Sequence, residues 1–182
     1  MPANPRAATA VSEVTWMNIF EGLTRFDEQG HIQPALAESW TNKGNKILTF
    51  KLLNGVKFHD GAELTSADVK FTFERNIAMQ STNKRKRMFA NMDTIETPDQ
   101  NTVKITLKQP SALLPFFLAE TTGAVLSPKT ADGDGFRPVG TGPRRFVSWT
   151  RGDSRIRSYG TCYPTLSVAK HPPPAKAKDD EG

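Results

Sequence analysis

Residues 48–75 read LTFKLLNGVKFHDGAELTSADVKFTFER. Leu48, Phe50 and Leu52 alternate with Thr49 and Lys51, the period of a strand with one buried face. Asn54-Gly55 is a hairpin-type turn signal. Val56 and Phe58 continue the alternation, so the chain is expected to turn straight into a second strand. Thr65-Ser66-Ala67-Asp68 fits a capping box: the hydroxyl serves the Asp68 amide, and the carboxylate reaches back to the helix start, where negative charge is favoured. Val69, Phe73 and Ile77 then recur every four residues as the apolar stripe of a helix.

Working outward, TVKITLK alternates at Val103, Ile105 and Leu107 and predicts another strand, with Pro98-Asp99-Gln100-Asn101 as its turn. Ser111 is placed to cap a short helix in ALLPFFLAE, whose regularity Pro115 limits. AVLSP (124–128) reads as a short buried strand or turn. Pro138-Val139-Gly140-Thr141-Gly142-Pro143 reads as a bend into a last strand, RFVSW. On the other side, Ser12 precedes Val14, Trp16, Met17, Ile19, Phe20 and Leu23 at helical spacing, with Gly22 near the end. RFDEQGHIQP reads as a turn, ALAESW as a short turn ending at Trp40, and TNKGNK as a loop in which Gly44 supplies a positive φ. Helix, strands, helix, strand, helix and strand in that order give the fold class α/β (mixed α+β).

The 182 residues make a single domain with an appendage the expected organisation. All 11 Phe and all three Trp precede residue 150. After it the chain carries Pro164 and Pro172-Pro173-Pro174 and few large apolar groups, too few to offset the entropy of ordering. The expected division is a disordered N-terminus over 1–10, a domain over 11–150, and a disordered tail over 151–182. No apolar run reaches the ~20 residues that span a bilayer. MPANPRAATA has no apolar core of signal-peptide length, so as written the chain is expected to stay cytoplasmic. A single cysteine, Cys162, excludes an internal disulfide and a cysteine-based zinc cluster. The net charge of +5 gives only a mild pull on anionic partners.

The candidate motifs mostly resolve into turns. His59-Asp60-Gly61 pairs a histidine with a carboxylate but has no nucleophile beside it and directly precedes a helix cap. It reads as structural. His31, His59 and His171 make no zinc spacing, and no cofactor is called. Lys84-Arg85-Lys86-Arg87 is a basic run without a second basic patch or a stacking motif, so nucleic acid is not the expected partner. A small basic nucleic-acid or protein-interaction module built on 84–87 is the alternative reading. Asp132-Gly133-Asp134-Gly135 opens like a calcium loop but lacks its closing glutamate. Gly140-Thr141-Gly142-Pro143 lacks both phosphate-loop patterns.

The strings NIFEGLTRFDEQGHIQPALAESWT (18–41), residues 48–75 above, NTVKITLKQP (101–110) and PVGTGPRRFVSW (138–149), in this order, closely resemble one family. It is the extracytoplasmic solute-binding proteins of the peptide/nickel class, family 5, which feed ABC importers. The resemblance implies two α/β lobes joined by a hinge, with solute trapped between them and no catalysis. It implies peptide-like solutes such as di- or oligopeptides or glutathione, an ABC permease as partner, a monomer, and a periplasmic or cell-surface location. Family members are much longer. The chain is therefore expected to be a truncated, partial periplasmic-binding-protein-like lobe, an N-terminal fragment that does not hold solute alone. The expected losses include the aspartate that meets a peptide amino terminus in relatives. Arg144 stands where the family places an aromatic after Gly142-Pro143. Past Ser154 the text departs from the family, and an out-of-frame reading is expected there. In nickel-binding relatives the segment after the capped helix brings cationic and aromatic side chains to the bound chelate. On that register Arg85 and Met88 are the candidate ligand-binding residues.

Overall fold

The computed structural model describes residues 18–78, 89–130, 138–150 and 153–158. Eight strands form three antiparallel sheets: β1 (Thr24–Phe26), β2 (Ile32–Pro34), β3 (Ala37–Lys43), β4 (Ile47–Leu52), β5 (Met92–Asp99), β6 (Thr102–Leu107), β7 (Arg144–Thr150) and β8 (Asp153–Ser158). The helices are α1 (Ser66–Ile77) and α2 (Leu114–Ala119), with 3-10 turns at Thr121–Gly123 and Pro128–Thr130. The central sheet runs β3-β4-β6-β5. β1 pairs with β2, and β7 with β8.

The apolar alternation of β4 and β6 sets the core. Leu48 faces Ile105 and Phe50 faces Val103 across the ladder, and these four side chains with Leu52 and Leu107 are buried. α1 lays Val69 and Phe73 into the same cluster, with Ile77 packed at its margin. Phe73 stacks on Phe89, ring centroids 5.9 Å apart. Each such side chain contributes roughly 1.5–3 kcal/mol by leaving water. The Thr65/Asp68 capping box is formed. The Thr65 amide and hydroxyl each donate to Asp68 Oδ2 at 2.8 Å.

Several elements differ from expectation. Asn54-Gly55 does turn, with Gly55 at φ 71°, but no strand follows. Val56 and Phe58 enter the core from a coil that makes only the isolated bridge Lys57–Glu63. β4 has two edges, and β3 and β6 occupy them. β3, read as a short turn and a loop, is a strand, and so is β5, of which only Pro98-Asp99 was read, as a turn. Both are sheet edges with few buried positions, mainly Ala37 in one and Met92 and Ile95 in the other, so no alternation marks them. The predicted turn 25–34 is a hairpin. The Asp27 carboxylate accepts from the amides of Gln29 and His31 at 3.0 and 2.8 Å, which closes the loop between β1 and β2.

The first helix ends at Ile19, not near Leu23. Leu23 instead gives its carbonyl to the amides of Ala35 and Ala37. α2 begins at Leu114, and the Ser111 hydroxyl accepts only from the Leu113 amide, at 3.3 Å. Pro115 lies in the first turn, where a missing N–H costs nothing. AVLSP is buried coil leading into a 3-10 turn. β8 lies inside the stretch expected to be disordered. Residues 1–10, the rest of that tail and Cys162 lie outside the described residues.

Phe73→Ala is expected to lower unfolding free energy by about 3–5 kcal/mol, and Asp68→Ala by about 1 kcal/mol. Ile77→Ala, at the margin of the cluster, should cost less than Phe73→Ala. Urea unfolding of the three variants checks the order.

Candidate functional site

Four segments that are remote in sequence meet at one junction: the end of the first helix (18–22), the turn 58–61, the strip 121–130 and the bend 138–142. Backbone bonds lace them together. The Gly142 amide donates to the Ile19 carbonyl at 2.9 Å, the His59 amide to Gly140 at 2.9 Å, the Val125 amide to Glu21 at 2.8 Å and the Ser127 amide to Val139 at 3.3 Å. Ile19, Phe20 and Ala124 form a small core here, with Leu126 and Phe146 against it. α1 joins through side chains. The Thr72 hydroxyl accepts from the Leu126 amide at 3.1 Å, and the Asn76 amide group donates to the Thr122 carbonyl at 3.1 Å.

The glycines of the bend permit this approach. A Cβ on Gly140 would strike the Ile19 carbonyl oxygen and come within 2.6 Å of the Phe20 ring. One on Gly142 would lie 2.5 Å from the Asn18 carbonyl. The requirement is for space, since neither glycine has a positive φ. The bend read from sequence as a chain-path feature is the surface on which two backbones touch.

His59 is the bolt, at 3% exposure. Its Nε2 lies 2.8 Å from the Gly142 carbonyl, and its Nδ1 receives the Gly140 amide at 3.4 Å. A carbonyl only accepts and an amide only donates, so the proton sits on Nε2 and the imidazole is neutral. Burial pushes the His59 pKa below its ordinary 6.5, and Arg145 adds to this; the Gly142 bond and Asp60 oppose it. Asp60 accepts from the Ala62 amide at 3.0 Å and pairs with Lys129 at 3.0 Å. Burial raises its pKa, but these partners outweigh that and hold it low. The histidine has backbone partners on both ring nitrogens and so ties the turn to the bend.

The junction also carries the polar atoms best placed to serve a ligand. The hydroxyl oxygens of Thr122 and Thr141 are buried without a hydrogen-bond partner among the described residues. A buried hydroxyl in that state is unusual and has capacity for a further partner. Glu21, half-buried, lies on the facing segment 18–22, its carbonyl accepting from the Val125 amide. Sequence reasoning missed both threonines, because only the fold shows which hydroxyls are left without a partner.

A second feature is an open depression of about 450 Å³ lined by Glu74, Ile77, Ala78, Met92, Asp93, Ile95 and Lys108. The chain leaves the described structure after Ala78 and returns at Phe89, beside this depression. Arg85, Met88 and the whole run 84–87 lie in between, outside the described residues, as do residues 132–135 and His171. His31 is exposed and sits 3.4 Å from Asp27. Among the described residues no group of three or more His, Cys, Asp or Glu side chains could hold a metal ion, and no helix is long and apolar enough to cross a membrane.

Comparison with known proteins gives a consistent result. The pattern of the bacterial extracellular solute-binding proteins, family 5 (Middle), matches residues 31–157. A glutathione-binding protein, GsiB, of Pectobacterium atrosepticum is 37% identical over 152 residues, 81% of this chain and 30% of its own length. The binding protein AgaA from A. tumefaciens R10, solved with agropinic acid, superposes with a TM-score of 0.79 at 34% identity, covering 84% of this chain and 32% of that one. The periplasmic binding protein DppA from Helicobacter pylori, solved with the peptide STSA, gives 0.71 at 26%, covering 89% and 36%. The chain thus spans about a third of the length of these relatives. The family match ends at Arg157 and β8 at Ser158, so family-like sequence continues past Ser154, where the departure was expected.

Gly140→Ala is expected to destabilise the fold by about 1–3 kcal/mol, because backbone on the facing segment has to move. A lowered urea midpoint with an unchanged slope checks it.

Proposed function

We propose that this chain, which belongs to the bacterial extracellular solute-binding proteins of family 5, forms one wall of a solute cleft that serves an ABC importer of peptide-like solutes. The carrying observation is the continuous family match over residues 31–157, on a fold that superposes on a solute-bound relative with a TM-score of 0.79. The relatives named above bind glutathione, agropinic acid and a peptide by their names. A solute of that kind, rich in carboxylate and amide groups, is the expected ligand here. The role is binding without bond-breaking, by a monomer, outside the cytoplasm and without nucleic acid.

Cleft proteins desolvate their ligand between two surfaces, and residues 18–150 are proposed to supply one of them. The residues proposed to meet solute are Thr141 and Thr122, through their buried hydroxyls, and Arg85 and Met88, whose segment starts and ends beside the depression at the end of α1. An arginine pairs with a solute carboxylate through two parallel bonds. A threonine hydroxyl serves an amide as donor or acceptor.

Titration calorimetry of this chain with glutathione and with short peptides is expected to show no binding. Micromolar binding would overturn the one-wall reading. Residues 18–150, grafted in place of the matching segment of the Pectobacterium glutathione-binding protein, are expected to restore a cleft that binds a peptide-like solute. A folded chimera that binds none counts against the function itself. In that chimera Thr141→Val should reduce affinity while leaving thermal stability unchanged or higher, because an unserved buried hydroxyl is being removed.

A further inference from the structure

We propose that His59 is an acid-sensitive latch: protonation of its imidazole breaks the bond from the Gly140 amide and loosens the bend 138–142 against the turn 58–61. The geometry carries the inference. The ring is buried and bridges two glycines two residues apart, accepting from the Gly140 amide on Nδ1 and donating to the Gly142 carbonyl from Nε2. Only the neutral ring with its proton on Nε2 meets both partners at once. A second proton enters at Nδ1 and turns that acceptor into a donor. It then faces the Gly140 N–H, also a donor, and the buried amide loses its partner.

The surrounding charges do not rescue the protonated form. Arg145, one residue into β7, opposes a second positive charge. Asp60 favours it, but that carboxylate is already held by the Ala62 amide and the Lys129 ammonium at 3.0 Å each. Burial makes the charged ring costlier still. The folded-state pKa is therefore depressed below 6.5, and the sign follows. The latch is complete above the unfolded value near 6.5, and its contribution is lost as pH falls from there toward the lower folded value. The other bonds of the bend do not use the ring's acceptor nitrogen: the His59 amide still donates to Gly140, Gly142 to Ile19 and Val139 to Thr130. Acid is thus expected to loosen the head of the bend first and leave the α1-covered sheet in place.

Two measurements on the whole chain test this. Imidazole ¹⁵N shifts at pH 8 should show His59 as the Nε2–H form; the opposite tautomer overturns the proposal. Hydrogen exchange, corrected for its intrinsic pH dependence, should show protection of the Gly140 amide falling severalfold between pH 7.5 and pH 5 as the ring titrates. Amides in β4 and β6 should stay protected. His59→Gln, where it folds, should remove the pH step, and His31→Gln should keep it. Protection at Gly140 that persists after the ring titrates, or a step retained in His59→Gln, overturns it.

Discussion

The sheet β3-β4-β6-β5 has one apolar face, and α1 is what covers it. Leu48, Phe50 and Leu52 from β4, with Val103, Ile105 and Leu107 from β6, present a continuous surface that water would otherwise wet. Burial of several such side chains at roughly 1.5–3 kcal/mol each is the largest favourable contribution the described residues offer. Everything else is arranged around that contact. The capping box fixes where α1 starts, so that Val69 and Phe73 land over the strands instead of a third of a turn away. The order β4, α1, β5, β6 then lets the chain leave the sheet, cross its apolar face and return beside β4.

The junction is a second, smaller structure built on the first. It holds few large apolar side chains, so its geometry rests on close backbone approach and on buried polar bonds. Such bonds are directional and contribute little net stability unless both partners are satisfied. That is why His59 occupies the centre: one ring serves a donor and an acceptor two residues apart, which no aliphatic side chain does. It is also why the glycines at 140 and 142 matter more for space than for torsion. In the role proposed above, a wall made this way would hold hydroxyls and amides where an entering polar solute could use them. A wall made of leucines would offer nothing to recognise.

What was legible in the sequence follows from this division. β4, α1 and β6 carry strong periodicity because each buries a face in a shared core, and all three fall where the pattern placed them. β3 and β5 were unreadable for the opposite reason. As edge strands they bury little, and AESWTNK and MDTIETPD look like loops until their partners are seen. The turn at Asn54-Gly55 was legible but its consequence was not, since local chemistry does not say that both edges of β4 are taken by distant strands. The helix expected over Ser12 to Leu23 stops at Ile19 because the next residues are recruited by long-range backbone bonds to 35–37, 125 and 142. The site was less legible still. His59, Gly140 and Gly142 were noticed as motifs and read as turn and bend. Nothing in a linear reading pairs residues some eighty positions apart.

The same asymmetry bears on how a lobe of this kind divides labour along its chain. Most of the residues that specify the fold lie between Leu48 and Leu107, joined by Leu23, Leu36, Leu114, Leu118 and Val125. The polar residues of the junction come from segments at 18–22, 121–130 and 138–142, which meet that core through Val125 and Val139. Their side chains are therefore free to vary in chemistry without disturbing the sheet, provided the glycine contacts and the histidine bolt persist. Relatives named for solutes as different as glutathione, a peptide and agropinic acid share this fold at 26–37% identity. A scaffold with a self-sufficient core and recognition groups on tethered segments permits that range. A scaffold whose ligand groups were also its core would not, since each change of solute would open a cavity or bury a charge.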